Sequence, residues 1–138
     1  MLGITANTTF LLLDLRDPDE YDLWRIREAI NFPCANIARD KTIPELFRFK
    51  NQPDKLIVIY MNDERQGVQY ATLLSEKGYD NVFLLSGGIE NFLEDYSDLV
   101  EGKNVPVPKS VIAEQEAQKI AEKKQYRIDK KAQMMTKF

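Results

Sequence analysis

Three short, almost unbroken apolar runs, separated by stretches with helical spacing, restrict the folding options of this chain more than any other feature. Residues 10–15 read FLLLDL, residues 56–60 LIVIY and residues 82–85 VFLL. Each has the length of a strand and lacks the alternation of a half-solvated one, so each is expected to be buried on both faces, as strands of a parallel sheet are. LIVIY is the most hydrophobic and the best candidate for a central strand. A fourth short run, Ala29 to Phe32, is stopped by Pro33.

The segments between these runs carry helix signals. Asp17 suits an N-cap, Pro18 the first helical position and Glu20 the carboxylate of a capping box, which predicts a short helix near 18–24. Ile43 to Phe49 reads as amphipathic, and Asn51-Gln52-Pro53-Asp54 as a turn. Val68, Ala71 and Leu74 form one face of a helix over 68–77 that Gly78 caps. Ser86-Gly87-Gly88 reads as a tight turn, with phosphate cradling as the less favoured reading, and a further helix starts at Ile89. Strand–helix alternation with short loops predicts an α/β domain, with a central parallel sheet of about four or five strands flanked by helices. Met1 to Thr5 are open to adding an edge strand.

Val105-Pro106-Val107-Pro108 makes a stiff, extended link. Beyond it, Ser110 looks like an N-cap, and residues 111–135 hold no Gly or Pro and are rich in helix formers. The expected organisation is a globular domain over 1–102, a Pro-containing linker over 103–109 and a basic C-terminal helix over 110–138. The apolar stripe of that helix is thin, so it docks on a partner or stays solvated. Charge follows the same division. Residues 1–108 hold 11 basic and 18 acidic side chains, whereas 109–138 hold eight basic and four acidic. A basic tail on an acidic globule points to an anionic surface, and Lys119, Lys123, Lys124, Arg127, Lys130 and Lys131 are the candidates to meet it.

Histidine is absent and Cys34 is the single cysteine in the 138 residues. Without histidine the chain lacks the usual general base near neutral pH, and Ser-His-Asp and Cys-His catalysis are excluded within it. One thiol permits no internal disulfide, which fits a reducing compartment such as the cytoplasm. No apolar run approaches the roughly 20 residues of a membrane span, and the first ten residues lack the pattern of a signal peptide.

The order of motifs resembles the rhodanese-like family over roughly residues 8–100. In LLLDLRDPDEYDLWRIREAINFP (11–33), Asp14, Arg16, Glu20, Tyr21, Ile26, Ala29, Ile30, Asn31 and Pro33 match its opening signature. Trp24-Arg25 stands where that family usually has Gly-His. Gly78-Tyr79, Asn81-Val82 and Leu85-Ser86-Gly87-Gly88 match its second half. The resemblance implies a rhodanese-like parallel sheet, with the usual leading strand and helix shortened or missing. It also places the family's catalytic loop directly after LIVIY. There sulfurtransferases carry Cys-x-x-Gly-x-Arg, and this chain carries Met61, Glu64 and Gln66 at the three positions. Met61 has no ionisable proton and cannot become a thiolate nucleophile. Asp63 and Glu64 put two carboxylates where a substrate anion would bind, and Asp63 with Gln66 forms a capping-box pattern. Arg65 is read as a surface ion-pair partner.

The Asp-Glu-Arg stretch further resembles a centrosomal and ciliary subgroup of that family connected with tubulin glutamylation. This implies a basal body, axoneme or centrosome as location, and protein partners such as tubulin or ciliary microtubule-associated proteins. Nucleic acid, membrane, metal and cofactor are not expected. The leading reading is thus a non-catalytic interaction module, with Asp63, Glu64, Arg65 and Trp24 as contact candidates beside the helix lysines. Two rivals are a sulfurtransferase or sulfur carrier using Cys34, and a phosphate-binding regulatory module. Packing is the preferred reading of Cys34 and an even alternative for Trp24.

Overall fold

The computed structural model describes residues 9–135; the expectation for Met1 to Thr5 lies outside them. The chain divides into two compact units, residues 1–106 and 107–138.

In the first unit the apolar runs form strands. β1 (Thr9–Asp14), β3 (Ile30–Asn31), β4 (Lys55–Tyr60) and β5 (Val82–Leu84) make one sheet in the order β3-β1-β4-β5. Every pairing in it is parallel, with Leu13 opposite Ile59 and Ile57 opposite Val82. Helices cover both faces, as continuous apolar strands demand. On one face Leu11, Leu13, Ile57 and Ile59 pack with Ile37 of α2 (Ala35–Ala38), Leu46 of α3 (Pro44–Phe49) and Leu74 of α4 (Glu64–Glu76). On the other, Tyr60 packs with Ile89 and Leu93 of α5 (Gly88–Asp95), and with Ile26, Ala29 and Val100. α1 (Pro18–Leu23) lies at this second face through Tyr21.

A second, two-stranded antiparallel sheet joins β2 (Arg25–Ile26) to β6 (Val100–Glu101), just after a single turn of 3-10 helix at Ser97–Leu99. Neither strand is foreshadowed by the apolar pattern, because two residues are too short to show a period.

Two helix readings change. α4 begins at Glu64, four residues earlier than the apolar spacing indicates, and Val68 is half exposed while Gly67 and Leu74 are buried. A Cβ at position 67 would collide with the Leu84 side chain. The missing side chain brings α4 close to β5, so the buried stripe runs through Gly67, Tyr70, Ala71 and Leu74. At α1, Asp17 occupies the N-cap without a side-chain cap bond, and Glu20 turns to a different partner, described below.

Among its described residues the second unit holds one helix, α6 (Lys109–Met134). Pro108, not Ser110, stands at its N-cap, because the Pro108 carbonyl already accepts from the Ile112 N–H at 3.1 Å. No residue of α6 is buried.

Candidate functional site

In open parallel sheets, ligand sites form where the strands end at their carboxyl termini. Here that edge gathers the end of β1, the loop from β4 to α4 and the turn from β5 to α5.

The first component is a buried polar cluster beneath the edge. Asp14 and Arg16 are two apart on β1 and its extension, so both face the same side of the sheet. They are 0% and 1% exposed. Arg16 Nε donates to Asp14 Oδ1 at 3.1 Å and Nη2 donates to Oδ2 at 2.8 Å. Nη2 also reaches the Trp24 carbonyl, and the guanidinium lies 5.4 Å from the Trp24 ring centroid. The Tyr60 hydroxyl donates to Asp14 Oδ2 at 2.7 Å and accepts from the Ile26 N–H at 3.3 Å. Asn31 Nδ2 ties the end of the strand by donating to the carbonyls of Asp14 and Arg16. Burial above all, then the Asp14 charge and hydrogen bond, raises the Tyr60 phenol far above its ordinary value. An arginine at this edge would be the natural anion ligand, but Arg16 is buried and commits Nε and Nη2 to Asp14 and the Trp24 carbonyl. Trp24, one of the contact candidates, is half-buried and stacked on this cluster, so packing accounts for its indole.

The second component is the loop itself. Met61 is half-buried and packs against the core of the first face. Asn62 Nδ2 donates to Glu20 Oε2 at 2.8 Å, which fastens the loop to α1. The Ile89 N–H donates to the Met61 carbonyl at 3.0 Å, and the Glu90 N–H donates to the Asn62 carbonyl at 3.2 Å. Two donors in the first turn of α5 are therefore occupied by the loop. This close approach depends on Gly88, which has φ 68°, and a Cβ there would lie 2.6 Å from the Asn62 oxygen and the Asp63 Cα. Gly87, with φ 77°, completes the tight turn read from the sequence.

The third component is the start of α4. Asp63 caps it, with Oδ1 accepting from the Gln66 N–H at 3.0 Å, as the sequence pattern indicates. That donor is consequently unavailable to a substrate oxyanion. Asp63, Glu64, Arg65, Gly87, Glu90 and Asn91 line a shallow hollow above the loop. Three of those side chains are carboxylates and one is a guanidinium, so an anion meets unfavourable charge there. Arg65 is exposed, and among the described residues no ion pair engages it. This corrects the ion-pair reading; its neighbour Asp63 is committed to the cap. Among the described residues no buried side-chain nitrogen or oxygen lacks a partner, so no buried polar group points unsatisfied at a ligand.

Cys34 is a half-buried free thiol at the start of α2 that packs on the first core. Tyr70 of α4 lies beside it, and hydrogen bonding to the sulfur, ahead of burial, pushes the Tyr70 phenol up. A phenol held protonated is no base at neutral pH. The helix lysines and Arg127 are all exposed on α6. Sequence reading missed the Glu20–Asn62 tie and the engagement of the α5 donors. Both depend on elements far apart in the chain, and only the Asp14-x-Arg16 spacing gave a period-2 hint of the buried cluster.

A family model described as the rhodanese-like domain matches residues 3–95. The chain belongs to the rhodanese-like family. Its rhodanese-like domain is similar to the centrosomal protein of 41 kDa of Xenopus tropicalis, with 37% identity over 100 residues, covering 71% of this chain and 27% of that protein. Similarity to the centrosomal protein of 41 kDa of Homo sapiens is 36% over 91 residues, covering 64% of this chain and 24% of the relative. The chain thus spans about a quarter of the length of these curated relatives. The solution structure of a rhodanese-like domain from an Anabaena protein shares the fold, with a TM-score of 0.55 and 24% identity, covering 71% of each chain. A crystal structure of a rhodanese-like domain from Anabaena gives a TM-score of 0.53 at 22% identity, covering 72% of this chain and 98% of that one. These likenesses bear out the mixed α/β fold with its four-stranded parallel sheet.

Proposed function

We propose that this rhodanese-like domain is a non-catalytic docking module in a centrosomal or ciliary assembly, located in the cytoplasm. The observation that carries this reading is the state of the β4–α4 loop. Its nucleophile position holds Met61, its carbonyls take up the first N–H groups of α5, and its Asp63 caps α4. Sulfur transfer needs a thiolate and a cradle of free N–H donors; position 61 offers no thiolate, and Asp63 takes the Gln66 N–H. The names of the relatives support a centrosomal setting and protein partners. Tubulin or a ciliary microtubule-associated protein fits the acidic globule joined to a basic helix.

The test is thiocyanate production from thiosulfate and cyanide by the purified chain. The expected rate is that of the protein-free reaction. Met61→Cys alone is expected to leave it there, because Asp63 and Glu64 keep negative charge over the loop and Asp63 holds the Gln66 N–H. Thiocyanate formed at the rate of an active family member would sink the reading. If Cys34→Ser then abolished that activity, the role would pass to that thiol.

A further inference from the structure

We infer that one face of α6 is a docking ridge for an extended, carboxylate-rich protein segment. The proposal deepens the docking-module reading by naming the face and the chemistry of its partner.

At about 100° per residue, Lys119, Lys123, Arg127 and Lys131 fall at successive i, i+4 positions and form one ridge. Lys124 and Lys130 flank it, so six cations share an arc of about 140°. Asp129 lies on the opposite side, whereas Glu122 borders the Lys119 edge and lines one hollow with Lys119, Lys123 and Arg127. Glu116 falls on the same side as the ridge, one turn before Lys119. From Lys119 to Lys131 the arc itself thus holds cations and no carboxylate, with Glu122 at its edge. Among the described residues no ion pair neutralises any of the six, and all are exposed. Like charges at i, i+4 work against a helix, and α6 buries no residue that would offset this. An anion laid along the ridge removes that repulsion.

The spacing selects the form of the anion. Cations at i, i+4 stand about 6 Å apart, and alternate residues of an extended chain present side chains about 6.6 Å apart on one side. An extended segment with a carboxylate at every second position, or at every position, therefore keeps step with the ridge over its length of about 18 Å. Two other polyanions fit less well. The exposed apolar side chains Val111, Ile112, Ile120 and Ile128 are spread round the helix, so no apolar face is available to enter a lipid surface. Five of the six cations are lysines, whereas phosphate recognition favours the bidentate fork of arginine.

The test uses the full chain and a fluorescein-labelled oligo-glutamate peptide of about eight residues, long enough at about 3.3 Å per residue to run the ridge. Anisotropy is expected to rise on titration, with affinity falling as salt is added. The double variant K123E/R127E is expected to weaken binding at least about tenfold, whereas D129N, on the opposite side, leaves it unchanged. Circular dichroism checks that each variant keeps its helix, and K123Q/R127Q gives the intermediate loss expected of charge removal without reversal. Equal binding of an oligo-glutamine peptide, or unchanged affinity in a helical K123E/R127E chain, overturns the ridge. Tighter binding of duplex DNA or phosphatidylserine vesicles, or salt-sensitive self-association in place of peptide binding, overturns the choice of occupant. Failure here is separable from failure of the docking reading, since thiocyanate production would remove that reading and leave this titration untouched.

Discussion

Tyr60 shows how much of this fold rests on single polar atoms. It ends the central strand, is fully buried, and its hydroxyl links Asp14 of β1 to the backbone of β2. Removing only that oxygen leaves a buried carboxylate short of a donor and the Ile26 N–H without an acceptor. Tyr60→Phe is therefore expected to cost about 1–3 kcal/mol at neutral pH, read from urea unfolding midpoints. The same residue sets a pH dependence. Its folded pKa lies above the ordinary 10.0, chiefly through burial and then through Asp14. The folded state thus holds the proton more tightly than the unfolded one. That stability is fully present below pH 10 and is lost as pH rises above it, when the unfolded phenol ionises first. Unfolding curves at about pH 8 and about pH 11 should show wild type losing more stability than Tyr60→Phe, so the gap between them narrows. A constant gap would mean that the buried phenol has no raised pKa.

At the scale of elements, α4 is placed by its cap and by its closest contact. Asp63 holds the Gln66 N–H, and Gly67 lets the first turn lie against Leu84 of β5. Asp63→Ala is expected to lower stability by about 0.5–2 kcal/mol, while Asp63→Asn, which can still accept the bond, keeps most of it. Equal losses for the two variants in urea unfolding would show that charge, and not the cap bond, matters. The same element explains why apolar spacing misplaced its start. A glycine carries no hydrophobic signal, yet Gly67 is the buried residue and Val68 the half-exposed one. Helix phase was decided by packing against a strand 15 residues away in sequence, counted from Gly67 to Val82.

For the molecule as a whole, the acidic globule and the basic helix are separate units in charge and in burial. A helix without buried residues adds little to the core. A chain ending at Pro106 is accordingly expected to unfold within about 0.5 kcal/mol of the full chain, while losing the helical circular-dichroism signal of the 26 residues of α6. A shift above about 2 kcal/mol would show that the helix stabilises the globule, and the boundary between the units would need revision.

The order of strands and helices was legible from the residues alone, because buried parallel strands need continuous apolar runs and LIVIY, FLLLDL and VFLL supply them. That the position directly after LIVIY holds Met61, a side chain without an acidic proton, was legible too. Two features were decided only by the tertiary structure. One is that Arg16, an apparent anion ligand, is neutralised by Asp14 and covered by Trp24. The other is that the α5 N–H groups close on the loop carbonyls. The first joins groups only two and eight residues apart, and it is burial that turns them on each other and away from a ligand. The second is a pair of hydrogen bonds across 28 residues, which leaves no periodic trace in the chain that makes it.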